Sequence, residues 1–383
     1  MTDGLLEGLL VLDMSQFLSG PFAALRLGDL GARVIKIERP EGGDLCRRLY
    51  LTDTEIGGDS TLFHAINRGK LGFAADFKNP ADVDAVKRLI AKADVLIQNF
   101  RPGVVERLGL DYQSAKAVNP GIVYASITGY GGDGPWAMLP GQDLLAQARA
   151  GLMWLNGDRD QGPVPFGLAI ADLLAGSAVV QGVLAALVRR GRTGGGAHVE
   201  TSLLEALVDF QFEVLTTYLN DGGRMPARSG FRNAHAYLAA PYGVYPTSDG
   251  WLAIAMTPLD KLAGALDFPA IAGVPQSAGF ERRDEIKRLI ADHVSSRPTS
   301  YWLDRMQPAD IWCADVLDWP ALFASQAFKQ MDILQTVFRP DGQAVRTTRL
   351  PLRVDGLRED CRSAAPSIGE HTAALRAEMG IPA

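Results

Sequence analysis

Asp172 stands alone in the run Gly167-Leu-Ala-Ile-Ala-Asp-Leu-Leu-Ala-Gly176, where its neighbours are aliphatic or glycine. A carboxylate in such surroundings loses hydration unless something replaces it, so the side chain either caps a helix or enters a reaction. Capping is ordinary for Asp, which accepts first-turn N–H bonds. The other use is nucleophilic, with the same helix-end amides keeping the carboxylate ionised for attack on an activated carbonyl. The residues alone leave both readings open.

Other chemistry-bearing groups narrow the choice of reaction. Arg39, Arg47, Arg48, Lys78, Arg101 and Arg107 fall near loop edges and suit either phosphate contacts or a solvated charged face. Glu38 stands where dinucleotide folds place a ribose-binding acid, yet no G-x-G-x-x-G precedes it, which makes a nicotinamide enzyme improbable. None of His64, His198, His235, His293 and His371 has a G-x-S-x-G serine partner or H-E-x-x-H spacing, so triad and metal chemistry lack support. Cys46, Cys313 and Cys361 are far apart and form no C-x-x-C pair, which suits a reducing cytoplasm better than a disulfide framework or a zinc site.

The elements that must hold these groups show an alternating pattern. Leu9–Met14 reads as a strand, Ser15–Pro21 as a loop whose Ser19 or Gly20 can cap, and the stretch to Leu30 as a helix stopped by Gly31. Val34–Ile37 follows as a second strand, giving the strand–helix–strand unit of a parallel sheet. Pro80–Lys92 and Gln113–Val118 read as helices, Asp94–Gln98 and Ile122–Thr128 as strands. An open α/β sheet is expected, with its ligand at the strand C-termini where Gly and Pro crowd. After Asp172 a helix is expected to about Arg190, then a turn over Gly191–Gly196, a strand His198–Ser202 and a helix Leu203–Tyr218. Asn220–Arg232 reads as a linker. Tyr242–Tyr245 and Trp251–Met256 around Ser248-Asp249-Gly250 then form a hairpin of a smaller α+β domain, followed by helices Asp284–Val294 and Thr299–Met306. Gly369–Met379 is a final amphipathic helix.

The 383 residues exceed one ordinary core, and 47% hydrophobic against 21% charged residues predicts a folded chain. A net charge of −6 with scattered basic residues argues against a nucleic-acid surface. The N-terminal run has an acidic start and reads as neither signal nor span. Leu168–Val188 is long enough for a membrane helix but carries Asp172 and Gln181, so a closely packed buried helix is expected and no membrane association.

Together these residues resemble the family III CoA-transferases, which include formyl-CoA transferase and carnitine CoA-transferase, with alpha-methylacyl-CoA racemase as a relative. The resemblance is carried by Ser19-Gly-Pro21, Asp29-Leu-Gly-Ala-Arg-Val-Ile-Lys-Ile-Glu-Arg-Pro40, Gly42-Gly-Asp44 and Asn67-Arg-Gly-Lys70. It continues through Asp94-Val-Leu-Ile-Gln-Asn-Phe-Arg-Pro-Gly103, Ala171-Asp172, Pro241-Tyr-Gly-Val-Tyr245 and Gly369-Glu-His371. It implies a Rossmann-like large domain built from both chain ends (residues 1–220 and 321–383), a small domain (221–320), and an interlocked homodimer. It makes Asp172 the catalytic residue. It places coenzyme A along Leu18, Ser19, Arg39, Ala75, Asp76, Phe77, Lys78, Asn99, Phe100, Arg101, Arg107 and the loop Leu139, Pro140, Gly141, Gln142, Asp143. It implies an acyl-CoA and a carboxylic acid as substrates, with no metal or redox cofactor.

Two departures stand out. A glycine run covers the reacting aspartate in formyl-CoA transferase, whereas the candidate segment here is Arg228-Ser-Gly-Phe-Arg-Asn-Ala-His235, whose Arg232 could pair with a dicarboxylate. The racemase pattern has a histidine directly before an aspartate, and this chain has Gln142 before Asp143. An amide cannot act as the base that removes a proton beside a thioester.

Overall fold

The computed structural model describes residues 4–361 and 363–382. Its larger sheet has six strands: β1 Leu10–Asp13, β2 Arg33–Glu38, β3 Leu71–Ala74, β4 Val95–Gln98, β5 Val123–Thr128 and β6 Ala197–Ser202. All pair in parallel, in the order β3-β2-β1-β4-β5-β6. This is the order of doubly wound nucleotide-binding folds, and the direction of progression reverses between β1 and β4, where loops part to leave a crevice. The strands are near-continuous apolar runs because both faces are covered.

The helices that matter for the site are α1 Ser19–Asp29, α2 Pro80–Ile90, α3 Tyr112–Val118, α4 Asp143–Arg149 and α5 Ile170–Thr193. On one sheet face Leu12, Ile35, Ile37, Phe73 and Leu96 pack with Val86, Leu89 and Ile90 of α2, Ala115 of α3 and Leu375 of the last helix, Thr372–Met379. Each fully buried aliphatic side chain is worth about 1.5–3 kcal/mol of transfer free energy. On the other face α1 packs against α5. The chain's end returns to β3: the Thr372 hydroxyl accepts from Ala74 N–H at 2.9 Å, and Gly72 O accepts from His371 N–H at 2.9 Å. A Cβ at Gly72 would lie 2.8 Å from Ser367 O, so this edge requires glycine.

The chain forms two compact units, residues 1–146, 169–210 and 332–383 in one, and 147–168 with 211–331 in the other. The first holds the large sheet and an antiparallel hairpin, Leu334–Phe338 with Ala344–Thr348. The second holds an antiparallel sheet of Gly243–Pro246, Trp251–Ile254 and Cys313–Asp315, its core built from Tyr245, Leu252, Leu262, Ile286, Ile290 and Trp302. The crossing points 210/211 and 331/332 lie about ten residues from the boundaries anticipated at 220/221 and 320/321, and residues 147–168 belong with the smaller unit rather than the larger.

Several local expectations are corrected. The helix expected over Leu203–Tyr218 breaks at Gln211 into Leu203–Phe210 and Phe212–Asn220. Neither Ser19 nor Gly20 caps α1: Leu18 is the N-cap, with no side-chain bond. α5 starts two residues before Asp172 and runs through Gly191 to Thr193, where Gly194 at φ 73° ends it. It is the one helix among the described residues long and apolar enough to cross a bilayer, and only about a third of its apolar window is buried, through Ala171, Ala175, Gly176, Val179 and Val183.

Candidate active site

Asp172 is the third residue of α5, in its first turn, and the position before the helix is Ala169, which supplies no side-chain cap. The capping task falls elsewhere: Asp143, at the start of α4, accepts the Asp172 N–H at 3.1 Å. The Asp172 carboxylate itself is left for other partners, and the hydroxyl and backbone N–H of Ser19 are near enough to favour its charged form.

Glycine makes that meeting possible. Gly176 lies one turn after Asp172, and a Cβ there would sit 2.6 Å from Ser19 O and 2.8 Å from a Phe22 ring carbon. Without it α1 and α5 would separate, and Ser19 would leave Asp172. Gly141 and Gly129 meet similarly, a Cβ on either falling 2.5 Å from the other's Cα, and this seats the Leu139–Asp143 loop against the end of β5.

Burial, and then the Asp143 carboxylate, push the Asp172 carboxyl up to about 6, while the two Ser19 donors pull the other way. Among the described residues no Lys or Arg pairs with it. At neutral pH it is therefore mostly ionised and poorly solvated, the state a carboxylate nucleophile needs.

Five of the residues expected to hold CoA line one cavity of about 190 Å³ at the β1–β2 edge: Arg39, Asp76, Phe77, Lys78 and Phe100. Phe77 and Phe100 meet edge to face, ring centroids 6.2 Å apart. Ala75 is buried where β3 ends, its N–H bonded to Glu38 O. Arg39 and Lys78 are exposed, with Arg39 Nε donating to Gly43 O at 2.9 Å. Leu18 and Ser19 stand at the β1–β4 switch point beside Asn99, whose amide nitrogen lies 3.5 Å from the Ser19 hydroxyl. Arg101 and Arg107 are exposed and line no part of this cavity, and neither do Leu139, Pro140, Gly141 or Gln142. A larger cavity, about 440 Å³, lies near Gly31, Arg68 and Cys361 and contains none of the expected site residues.

One charge departs from both of its sequence readings, phosphate contact and solvated face. Arg47 is no free phosphate ligand: it makes two bonds to Glu38 (2.9 and 2.7 Å), one to Asp59 (2.7 Å) and one to Pro366 O, with its guanidinium 3.8 Å from the Phe63 ring centre. Glu38 is thereby used as an internal counter-ion and also accepts Asp44 N–H, so it holds no ribose. Reasoning also passed over Lys36 and Asp44, which line the cavity from beneath. A lysine inside the apolar strand Val34–Ile37 was the available signal. In the smaller unit, Arg228–His235 is tied down locally, Ser229 and Gly230 bonding to Asp284 and Arg228 to Asn156 O and Gln161 O. Arg232 there is left-handed at φ 49°, with its guanidinium 4.4 Å over the Trp251 ring.

Comparison with known proteins places this geometry. The model of CoA-transferase family III matches residues 6–372. The chain belongs to CoA-transferase family III. It is 32% identical over 389 residues to the succinate–glutarate CoA-transferase of Agrobacterium fabrum, covering 98% of this chain and 95% of that one. It is 33% identical over 388 residues to the acetyl-CoA:oxalate CoA-transferase of Acetobacter aceti, covering 99% and 97%. A crystal structure of a CaiB/BaiF family protein from Brucella suis superposes with a TM-score of 0.85 at 32% identity, covering 99% of this chain and all of that one. The enzyme is thus a family III CoA-transferase with an acyl-CoA as co-substrate, and the racemase reading is not favoured.

Proposed function

We propose that this family III enzyme moves coenzyme A from an acyl-CoA to an acid through covalent intermediates on Asp172. The observation that carries the reading is an ionisable carboxylate in the first turn of α5, close to Ser19 and lacking any cationic partner among the described residues. Its oxygen attacks the donor thioester carbonyl, the C–S bond breaks, and a mixed anhydride and CoA thiolate result. The thiolate attacks the aspartyl carbonyl of the anhydride, expelling the donor acid as carboxylate and leaving an aspartyl-CoA thioester. The acceptor carboxylate then reverses both steps. Anhydride and thioester have similar acyl-transfer potential, and helix-end N–H groups can stabilise each oxyanion. No metal or redox group takes part.

The coenzyme A lies along Leu18, Ser19, Arg39, Ala75–Lys78, Asn99–Arg101, Arg107 and Leu139–Asp143 in this reading. The acceptor is an acid with a second carboxylate, as succinate, glutarate and oxalate in the names of the relatives suggest. The working form is a cytoplasmic, interlocked homodimer; Phe212, Leu219, Trp319 and Leu357, all exposed in the single chain, are apolar surface that self-association would cover.

Incubation with donor acyl-CoA followed by hydroxylamine or borohydride should modify one carboxylate, located at Asp172 by mass spectrometry. Solvent deuterium should not enter the carbon beside the thioester. Fast exchange there, with no modified Asp172 and no transfer to any acid, would replace this reading with the racemase.

A further inference from the structure

The corner between β1 and α1 is held by side chains from elsewhere. Phe17 adopts φ 62°, the left-handed region that a residue with a Cβ disfavours, and its own ring is largely exposed, so ring burial within the chain does not enforce the turn. The enforcing bonds come from the ends of β2 and β4. Asn99 grips Gln16 twice, its Oδ1 accepting Gln16 N–H at 2.7 Å and its Nδ2 donating to Gln16 O at 2.7 Å. Asp44 Oδ1 accepts Phe17 N–H at 3.1 Å and Cys46 N–H at 2.9 Å. Its Oδ2 accepts from Lys36 Nζ at 2.8 Å, and the same ammonium donates to Ser15 O. Asp44 and Lys36 are buried, so this clamp is fixed. Directly after the corner, Ser19 opens α1 packed closely on the start of α5, where a Cβ at Gly176 would lie 2.6 Å from Ser19 O, and its N–H and hydroxyl are near enough to favour the charged form of Asp172.

We propose that Asp44 and Asn99 are positioning residues, which lock Gln16–Leu18 in a left-handed corner and so aim the two Ser19 donors at Asp172. The proposal rests on Asp172 being the nucleophile. Neither residue touches the reacting atoms; each acts through the backbone of the corner. Without them the Phe17 backbone relaxes to negative φ, the start of α1 turns, and the carboxylate loses the donors that orient it for attack.

The test is kinetic, on the full-length enzyme with a donor acyl-CoA. Asn99→Ala leaves no buried charge unpaired and carries the test alone should Asp44→Ala, which strands Lys36, fail to fold. In Asn99→Ala, kcat and the rate of hydroxylamine-trapped acyl formation should fall on the order of tenfold or more, as small misalignments of reacting groups do. Because Asn99 also lies along the CoA in the proposed reading, KM for acyl-CoA should rise as well, and the fall in the trapping rate at saturating acyl-CoA is what separates orientation from binding. Adding Phe17→Gly should recover part of the lost kcat, because glycine takes φ near +60° unaided. A rise in KM with an unchanged trapping rate would reduce Asn99 to a wall of the CoA site and overturn the proposal. So would a lowered melting temperature with unchanged kcat, or a double variant no faster than Asn99→Ala. Wild-type enzyme that traps no acyl group at Asp172 would instead refute the nucleophile reading itself.

Discussion

Asp13 and Asp172 sit in the same unit, each withdrawn from bulk water, and their surroundings treat them oppositely. Asp13 ends β1 and is paired in register with Lys36 on β2. Lys70 Nζ bonds to it at 2.8 Å, Lys36 Nζ lies 3.7 Å away, and Ser15 donates to it through both N–H and hydroxyl. Burial alone would raise its pKa, but the two lysines win and hold it below the ordinary carboxylate range. Lys36 is likewise disfavoured by burial and raised overall by Asp13, Asp44 and Glu38. Asp172 has burial without the cations, and its nearest charge is a second carboxylate. In one region the charges are mutually paired, although burial still pulls Lys70 down to about 8, and the fold gains a fixed corner. In the other a charge is under-satisfied, which costs stability and supplies reactivity.

Exchanging the two kinds of loss gives the largest expected effect. Asp172→Ala should abolish transfer while CoA binding stays near wild type and the melting temperature does not fall, because its main work is chemical. Lys70→Met should do the reverse: it strands Asp13 and the Asn67 oxygen in the core and should cost roughly 3–5 kcal/mol in denaturant unfolding, as broken buried pairs do. Enzyme of either kind is compared by turnover per folded molecule. Transfer retained by folded Asp172→Ala, or an unaltered unfolding midpoint in Lys70→Met, would erase the contrast.

A smaller effect is expected at the exposed rim. Arg39→Ala or Arg107→Ala should weaken CoA binding by roughly 1.5–3 kcal/mol, a ten- to hundredfold rise in Kd. The KM of the acceptor acid should stay nearly constant, and titration calorimetry with CoA reads the difference. Unchanged affinity in both variants would move the phosphates away from this edge.

The two regions also differ in how far the sequence disclosed them. Asp172 was legible because an isolated carboxylate in an aliphatic run has few explanations, and β1, β2, β4 and β5 were legible as apolar runs bounded by turns. What stayed hidden depends on contacts distant in sequence. Asp143 serves α5 from 29 residues away, and Asp44 reaches Phe17 across 27. β3, Leu71–Ala74, is interrupted by Gly72 and so lacks the unbroken apolar run that marks the equally short β1 and β4. Arg47 was left open between a phosphate ligand and a solvated face because composition cannot show that it pairs with Glu38, nine residues away, under Phe63. The helix break at Gln211 coincides with the crossing into the smaller unit, which no local propensity encodes.

The smallest effects concern protons. The folded state holds the Asp172 proton up to about pH 6, against an ordinary 3.8. Stability from this group is therefore full below the ordinary value and is lost as pH rises towards 6, because the unfolded chain ionises first. Asp172→Asn, which keeps the shape and removes the charge, should raise the melting temperature near about pH 8 and change it little near about pH 4. Asp143→Asn tests the origin of the shift. Its amide oxygen can still accept the Asp172 N–H, but the second cause of the raised value is gone, so the acid limb of kcat/KM should move from near 6 towards lower pH while burial, the first cause, remains. An acid limb that stays in place would mean that burial alone sets the Asp172 carboxyl, and that Asp143 acts on α5 only as its cap.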